Sequence, residues 1–222
     1  MSKINWKGGA LTAPIPPVLV TCSDKESNRD NVFTVAWTGI LNTKPPKTYI
    51  SVRPERFSYN IIKESGYFVI NLTTEDMILA ADFCGVRSGR DLDKFEHCGL
   101  LRENAKTIPC PMLVQSPLCL ECRVEKIVPL GTHDMFIADI VSVDVDEALI
   151  DGAGRLHLDR ARLAAFAHGE YFALGRKLGS FGYSVRKKGA KGTIGKDSRP
   201  NRPQKNEKNR TGTKLNKKFT KR

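Results

Sequence analysis

The sequence lacks any run of apolar residues long enough to cross a bilayer, which takes about 20 residues in a helix. An apolar stretch near the N-terminus, residues 15–20, is short and is interrupted by Pro16 and Pro17. The basic start and small-residue cleavage site of a secretory signal are also missing. These absences argue against a membrane span and against secretion, so the sequence predicts a cytoplasmic protein.

The cysteines lack the paired spacing of a structural metal site. With no secretion signal, all six are expected to be reduced thiols. Cys119 and Cys122 form a C-x-x-C motif, but no second C-x-x-C accompanies it. The motif lies in an alternating stretch typical of a strand, where residues three apart face opposite sides. The two thiols should therefore point away from each other, which argues against a redox pair and against a shared metal ion.

Two further signatures of enzymes are missing. Gly152 and Gly154 are not followed by the third glycine of a dinucleotide-binding fingerprint. If a nicotinamide cofactor binds, it would do so without a Rossmann fold and transiently. No side chain stands out as a nucleophile, and no two carboxylates pair as acid and base. Any catalysis is expected to rest on a bound cofactor.

Most of the chain lacks a net charge, although the whole sequence carries +12. Of the 36 Lys and Arg residues, 15 lie in residues 186–222, which contain only two acids. Residues 1–185 therefore hold 21 bases and 22 acids. This division predicts a folded domain over 1–185 and a basic, disordered tail over 186–222. Such a tail either contacts polyanions weakly or is simply solvated.

The chain does contain a series of short strands. Apolar, β-branched runs predict strands over 18–22, 32–41, 48–53, 67–72, 118–128 and 135–145, with 118–128 alternating as a half-buried strand. Short helices are predicted after Pro54, after Thr74 and over 156–168. Because strands dominate, we predict a mainly β fold, a closed antiparallel barrel of Greek-key type with a few peripheral helices.

The second strand carries an unusual alternation. Its small residues Thr34, Ala36 and Thr38 alternate with the larger Val35 and Trp37. Because neighbouring side chains of a strand face opposite sides, the bulky face should be buried and the other face should be nearly flat. A flat face would allow a planar ring to lie close to backbone amides. The alternation therefore predicts a shelf for a planar ligand.

A group of anion-binding residues follows the next strand. It comprises Arg53, Arg56, Ser58 and Tyr59. Cationic side chains and hydroxyls of this kind suit a phosphate. A flat shelf followed by such a group indicates a planar cofactor that carries a phosphate.

Seven segments, in their order and spacing, resemble the flavin reductase-like family of FMN-binding split barrels, in particular its flavoredoxin branch. The resemblance extends over roughly residues 14–183 and leaves the basic tail outside. The segments that carry it are Pro17–Thr21, Asn31–Trp37, Pro45–Pro46, Tyr67–Leu72, Asp93–Phe95, Leu120–Cys122 and Gly131–His133.

The resemblance implies non-covalent FMN beside the interface of a homodimer. Its ring would lie along residues 34–37, that is Thr34, Val35, Ala36 and Trp37. The phosphate would contact some of Arg53, Arg56, Ser58, Ser88 and Lys94, with Lys94 the preferred partner. His133 would lie near the nicotinamide or the flavin, unless it is merely an exposed hairpin residue. Tyr171 would stack on the ring or cover it, or else pack in the core.

For function, the resemblance implies a flavin-dependent oxidoreductase. NAD(P)H would give a hydride to FMN, and the electrons would pass to free flavin, ferric iron or another redox protein. One alternative is an FMN-holding electron carrier that does not oxidise NAD(P)H itself. A second alternative is a polyanion-binding protein that acts through its basic tail.

Overall fold

A computed structural model describes residues 1–24, 26–27 and 29–185 of the chain. The chain divides into two compact units, Met1–Lys177 and Leu178–Arg222. The first unit contains every sheet and α-helix of the described residues. The described part of the second unit, 178–185, contains a 3-10 turn at Tyr183–Val185. The predicted disordered tail, 186–222, lies outside the described residues.

The described residues form three antiparallel sheets. The largest has seven strands in the order β2-β1-β5-β8-β9-β4-β3, while β6 pairs with β7 and β10 with β11. The strands are β1 (Val18–Asp24), β2 (Arg29–Val35), β3 (Thr38–Thr43), β4 (Pro46–Val52), β5 (Tyr67–Asn71), β6 (Arg102–Asn104), β7 (Pro111–Leu113), β8 (Leu118–Pro129), β9 (Asp134–Val145), β10 (Ala164–Ala167) and β11 (Glu170–Ala173). The mainly β, antiparallel architecture is confirmed.

The edge strands of the large sheet, β2 and β3, are consecutive in the chain. Only Ala36 and Trp37 join them. Such a short connection forces the two edges to meet at one corner, so the twisted sheet curls into a barrel. In the described residues no ladder of hydrogen bonds pairs β2 with β3. The barrel is therefore open along this seam, and the predicted single strand over 32–41 is wrong.

Three α-helices pack on the outside and at the end of the barrel. Ile62 of α1 joins the barrel core beside Phe68 and Phe136, while Ala81 of α2 packs near Val32. The helices are α1 (Phe57–Ser65), α2 (Ile78–Val86) and α3 (Lys94–Cys98). The helices predicted after Pro54 and Thr74 are therefore present. None of the helices in the described residues is long and apolar enough to span a membrane.

The helix predicted over 156–168 is wrong. That segment holds a 3-10 turn at Leu158–Arg160 and then enters the hairpin of β10 and β11. The hairpin turns at His168 and Gly169, which both have positive φ, 49° and 89°. A two-residue turn with this backbone matches the twist of paired strands, and glycine adopts it without strain. Turn chemistry here outweighs the helix propensity of the surrounding alanines.

The half-buried alternation predicted for 118–128 holds only in part. Regular alternation with Leu118 and Leu120 would place Cys119 and Glu121 on the exposed face of the strand, yet both are buried. The segment around Ile108 covers this face, where Ile108 packs with Cys119. The Cys122 thiol lies on the opposite side, in the barrel core. The two thiols of the C-x-x-C therefore diverge as predicted, and both cysteines are free.

Candidate functional site

A cleft of about 460 Å³ lies at the open seam of the barrel, and we call it the main cleft. Its floor is the end of β2 and the corner that follows, residues 33–37. The end of β4, helix α2, the β10–β11 hairpin and the β8–β9 turn form its walls. The volume lies within the range of small-molecule and cofactor sites. The main cleft thus collects elements that are far apart in the sequence.

The corner at Ala36 and Trp37 changes the predicted alternation. The Thr38 amide donates to the Ala36 carbonyl at 3.1 Å, and the Ser51 amide donates to the Trp37 carbonyl at 2.9 Å. The backbone turns there, so the side-chain alternation does not continue across it. Val35 is buried as predicted, but Trp37 is 39% exposed and Thr38 is buried. The prediction of a continuous flat face from Thr34 to Thr38 is therefore wrong.

The floor of the main cleft is held against helix α2. The Thr34 hydroxyl donates to the Ala81 carbonyl, which leaves this side chain tied to the helix. Thr34, Val35, Ala36 and Trp37 all line the cleft. The floor of the cleft therefore consists of one hydroxyl side chain, two small apolar side chains and one aromatic ring.

A smaller pocket of about 120 Å³ opens beside the main cleft, and we call it the cation pocket. The two share the lining residues Phe33, Arg56 and Val86. Four of the five residues predicted to hold a phosphate line the cation pocket, namely Arg56, Ser58, Ser88 and Lys94. The fifth, Arg53, lines the main cleft instead.

Lys94 is the most unusual group of the cation pocket. Asp93 caps helix α3 by accepting from the Phe95 and Glu96 amides at 2.8 and 3.2 Å, which points Lys94 inward. Its side chain is only 3% exposed. Burial lowers the pKa of Lys94, and the nearby charge of Arg56 lowers it further.

The positive charge of the buried Lys94 ammonium is only partly satisfied by hydrogen-bond acceptors. Nζ lies 3.4 Å from the carbonyl oxygens of Cys84 and Arg87, at the C-terminal end of α2, where a cation is favoured. Within the described chain no carboxylate pairs with it. An ammonium has three N–H donors, and the two carbonyl oxygens use two of them. The third donor remains for another acceptor. A buried cation in this state is suited to an anionic ligand.

The N-terminus of α1 faces the same pocket. Its N-cap is Arg56, no side chain caps the first turn, and that turn contains no acidic residue. Ser58 is buried there and accepts from the Asn31 amide group at 2.6 Å. Free amides at a helix N-terminus attract anions, so the helix adds to the field of Lys94. Lys94, Ser58 and Arg56 thus line one pocket, whose lining also includes Glu55.

Gly89 closes the cation pocket from the loop side. A Cβ at Gly89 would overlap the side-chain oxygen of Asn31. Only glycine allows the loop to come this close to β2. The Gly89 carbonyl also accepts from the Arg29 guanidinium, which ties the loop to the strand. Sequence reasoning missed both Asn31 and Gly89, because a strand asparagine and a loop glycine carry no distinctive pattern.

The β10–β11 hairpin supplies an aromatic wall to the main cleft. Phe166 and Tyr171 meet edge to face, with ring centroids 5.3 Å apart. The Tyr171 hydroxyl donates to Asp82 of α2 at 3.2 Å. Burial raises the pKa of Tyr171 to about 12, and the charge of Asp82 contributes. Tyr171 is therefore a neutral, fixed wall residue.

His133 lies in the β8–β9 turn and lines the main cleft, as Arg53 does. Its Nδ1 is 3.0 Å from the Thr132 hydroxyl. Burial lowers the pKa of His133, and the positive charge of Arg53 lowers it further. The imidazole is therefore largely uncharged at neutral pH.

Comparison with known proteins assigns this architecture. A family model described as a flavin reductase like domain matches residues 11–174, which cover the barrel and every wall of the main cleft. The chain belongs to the flavin reductase-like family. The resemblance seen in the sequence is thereby confirmed, and the open barrel is the split barrel of this family.

Individual relatives agree with the family model. Flavoredoxin of Desulfovibrio vulgaris (Miyazaki F) superposes with a TM-score of 0.77 at 28% identity, covering 83% of this chain and all of that one. An uncharacterized protein of Archaeoglobus fulgidus is 30% identical over 124 residues, which are 56% of this chain and 70% of the relative. The reductase component of a FADH(2)-dependent resorcinol hydroxylase from Rhizobium sp. is 25% identical over 144 residues, 64% of this chain and 78% of that one.

Within this flavin reductase-like barrel the sequence-predicted residues fall into two neighbouring groups. Those chosen for a ring, together with Arg53, His133 and Tyr171, line the main cleft. Those chosen for a phosphate line the cation pocket, apart from Arg53 and from Tyr59, which is buried in the core and donates its hydroxyl to Asp134. No cluster of three or more His, Cys, Asp or Glu side chains in the described ranges is arranged to hold a metal ion.

Proposed function

We propose that the chain binds FMN non-covalently and passes electrons from NAD(P)H through it to a second acceptor. The observation that carries this proposal is Lys94, a buried ammonium without a carboxylate partner in the described chain, in a pocket that opens into the main cleft. A buried charge is costly unless it is paired. A phosphate on one end of a ring-bearing ligand would supply the missing partner.

The two pockets match the two ends of FMN. The main cleft has the volume and the aromatic wall for a planar ring, with Thr34–Trp37 as floor and Tyr171 as wall. In the cation pocket, Lys94, Ser58, Ser88 and Arg56 would hold the phosphate with charge-assisted hydrogen bonds. Bound FMN would supply hydride acceptance and electron transfer, which no side chain of the described chain offers.

His133 and Arg53 are the residues placed to act on a donor. Both line the main cleft, and neither lines the cation pocket. An uncharged imidazole can orient a carboxamide or exchange a proton with a bound partner. We therefore propose His133 as the residue that contacts the nicotinamide or the reduced ring. The relative from Rhizobium supports reductase chemistry, because its name describes the reductase component of a FADH(2)-dependent hydroxylase.

Anaerobic reduction tests this function. When FMN-loaded protein is mixed with NADH or NADPH without oxygen, we expect the visible absorbance of the flavin to bleach with at least one donor. The rate can be followed by stopped-flow spectroscopy. If neither donor bleaches the flavin while dithionite does, the chain is instead an FMN-holding carrier that receives electrons from a partner.

We further propose that the chain forms a homodimer. Leu79 and Val86, on the outer face of α2, are 87% and 73% exposed. Val86 also lines both pockets, so a second subunit covering this face would lie next to the ligand. Sedimentation equilibrium would give a dimer mass in the wild type and a weaker dimer in Leu79→Asp. A monomer mass for the wild type at every protein concentration would contradict the proposed homodimer.

The segregated charge of the tail supports a second, separate role in polyanion binding. Residues 186–222 carry a net charge of +13, counted from 15 bases and two acids. Deleting 186–222 should abolish salt-dependent binding to RNA, measured by fluorescence anisotropy, and leave FMN affinity unchanged. Equal RNA binding by the full and truncated chains would show that the tail is merely solvated.

A further inference from the structure

Residues 1–14 form an exposed arm ahead of the barrel, and we call this segment the 1–14 arm. Every residue in it is exposed, with Ile4 at 88% and Trp6 at 76%. In the described part of the chain, no backbone hydrogen bond joins residues 1–8 to the barrel. The chain meets the barrel at Ile15, whose amide donates to the Phe166 carbonyl at 3.0 Å. Large apolar side chains that gather on one exposed segment are typical of interaction sites.

A groove of about 550 Å³ between α2 and α3 offers a complementary surface, and we call it the α2 groove. Phe83 and His97 line it as a stacked pair, with ring centroids 4.1 Å apart and planes inclined by 14°. Leu79 and Val86, both largely exposed, line it as well. An indole ring binds well to aromatic and aliphatic surface of this kind, where it can stack and bury a large area.

The charges of the two surfaces are opposite in sign. Residues 1–23 contain Lys3 and Lys7 and no acidic residue. Residues 75–98, which include α2 and α3, hold six acids and three bases. Opposite charges at the rim of an apolar contact accelerate association and fix its orientation.

The α2 groove is continuous with both ligand pockets. It shares Asp82 and Val86 with the main cleft, and Val86 and Arg87 with the cation pocket. An extended segment as long as the 1–14 arm spans at most about 45 Å, which is enough to reach a neighbouring subunit. In a two-fold symmetric dimer each such contact occurs twice, so one arm and one groove per chain form a closed pair.

We propose that the 1–14 arm is exchanged between subunits and that Trp6 of one copy docks in the α2 groove of the other. The occupant of the groove is thus a second copy of this chain, and each copy covers the surface next to the other's ligand pockets. This inference rests on the proposed homodimer and adds the segment that holds it together. It does not depend on which flavin or electron donor binds.

Photo-crosslinking between two isotopically distinct copies tests the exchange. One copy carries p-benzoylphenylalanine in place of Ile4, and an excess of full-length wild type carries heavy isotopes. We expect crosslinks that join a light arm peptide to a heavy peptide from residues 79–98. Crosslinks confined to light peptides would show that the arm folds back on its own chain, which would overturn the exchange.

Dimer affinity provides the second measurement. Trp6→Ala should raise the dimer dissociation constant at least about tenfold in sedimentation equilibrium, because a buried tryptophan contributes strongly to an interface. Trp6→Phe keeps an aromatic ring and should have a smaller effect. Phe181→Ala removes another exposed aromatic ring, 106% exposed and outside the arm, and should leave the constant unchanged.

The results separate this inference from the proposals on which it builds. A wild-type dimer whose dissociation constant is the same in Trp6→Ala would overturn the arm exchange and leave the homodimer intact. A wild-type monomer at every concentration would overturn both. FMN titration of the same variants is read independently, so loss of FMN binding in the wild type contradicts the proposed function without bearing on the arm.

Discussion

Replacing Lys94 with methionine should weaken FMN binding by roughly 10- to 100-fold and leave riboflavin binding nearly unchanged. The reason is that FMN carries a phosphate, which would pair with the buried Lys94 ammonium, whereas riboflavin has no phosphate. Methionine keeps the length and apolar body of the side chain, so the core around α3 stays filled. Fluorescence titration of both flavins, with wild type and variant side by side, gives the four affinities needed.

Lys126→Met is the matched control for this prediction. Lys126 is exposed on β8 and lines neither the main cleft nor the cation pocket. Its replacement removes the same charge from the surface, so a general electrostatic attraction between protein and phosphate would weaken equally in both variants. Equal losses for FMN and riboflavin in Lys94→Met would show that Lys94 acts on the fold and not on a phosphate.

Glu121→Ala should lower the free energy of unfolding by about 3 kcal/mol or more. The Glu121 carboxylate is fully buried and accepts from the backbone amides of Lys106, Thr107 and Ile108 at 2.8, 2.8 and 3.1 Å. Alanine would leave the buried Ile108 amide and the partly buried amides of Lys106 and Thr107 without an acceptor, each at the cost of its desolvation. Urea unfolding followed by circular dichroism measures the change.

Glu125→Ala serves as the control for Glu121, because Glu125 is on the same strand with an exposed carboxylate. Its surface ion pair with Lys47 contributes far less than a buried acceptor. Glu121→Gln retains one oxygen and should fall between alanine and wild type. A Glu121→Ala protein as stable as Glu125→Ala would show that the 106–108 segment does not depend on this carboxylate.

The same carboxylate should contribute to the acid sensitivity of the fold. Burial alone would raise the pKa of Glu121, but hydrogen bonds from Thr107 and the Lys106 amide outweigh it and lower the pKa. A lowered folded-state pKa means that the stabilisation is present above the pKa of the unfolded chain and is lost as the pH falls through the folded-state value. Glu121→Gln should accordingly lose part of the wild-type decline in stability under acid.

Local signals in the sequence identified much of the barrel. The β-branched run at 18–22, Pro54 before α1 and the turn near His133 each mark an element that the structure contains. These elements depend on residues close together in the chain, so periodicity and turn chemistry suffice to predict them. The choice of Lys94 rested on the resemblance, and the structure buries it in a pocket beside the main cleft.

Long-range packing determined what the sequence did not predict. The corner at Ala36 arises because β2 and β3 must reach opposite edges of one curled sheet, which no local pattern records. Glu121 is buried because a segment about 15 residues earlier folds over it. Asp82 of α2 meets Tyr171 of the β10–β11 hairpin, 89 residues later in the chain.

The flavin content of the purified protein tests the central claim most directly. The full chain should purify with, or take up from solution, one flavin that shows a visible absorption spectrum, and denaturation should release it as FMN. The cation pocket predicts that the released compound carries a phosphate, which chromatography against riboflavin and FMN standards decides. A colourless protein that fails to bind added FMN in equilibrium titration would contradict the account.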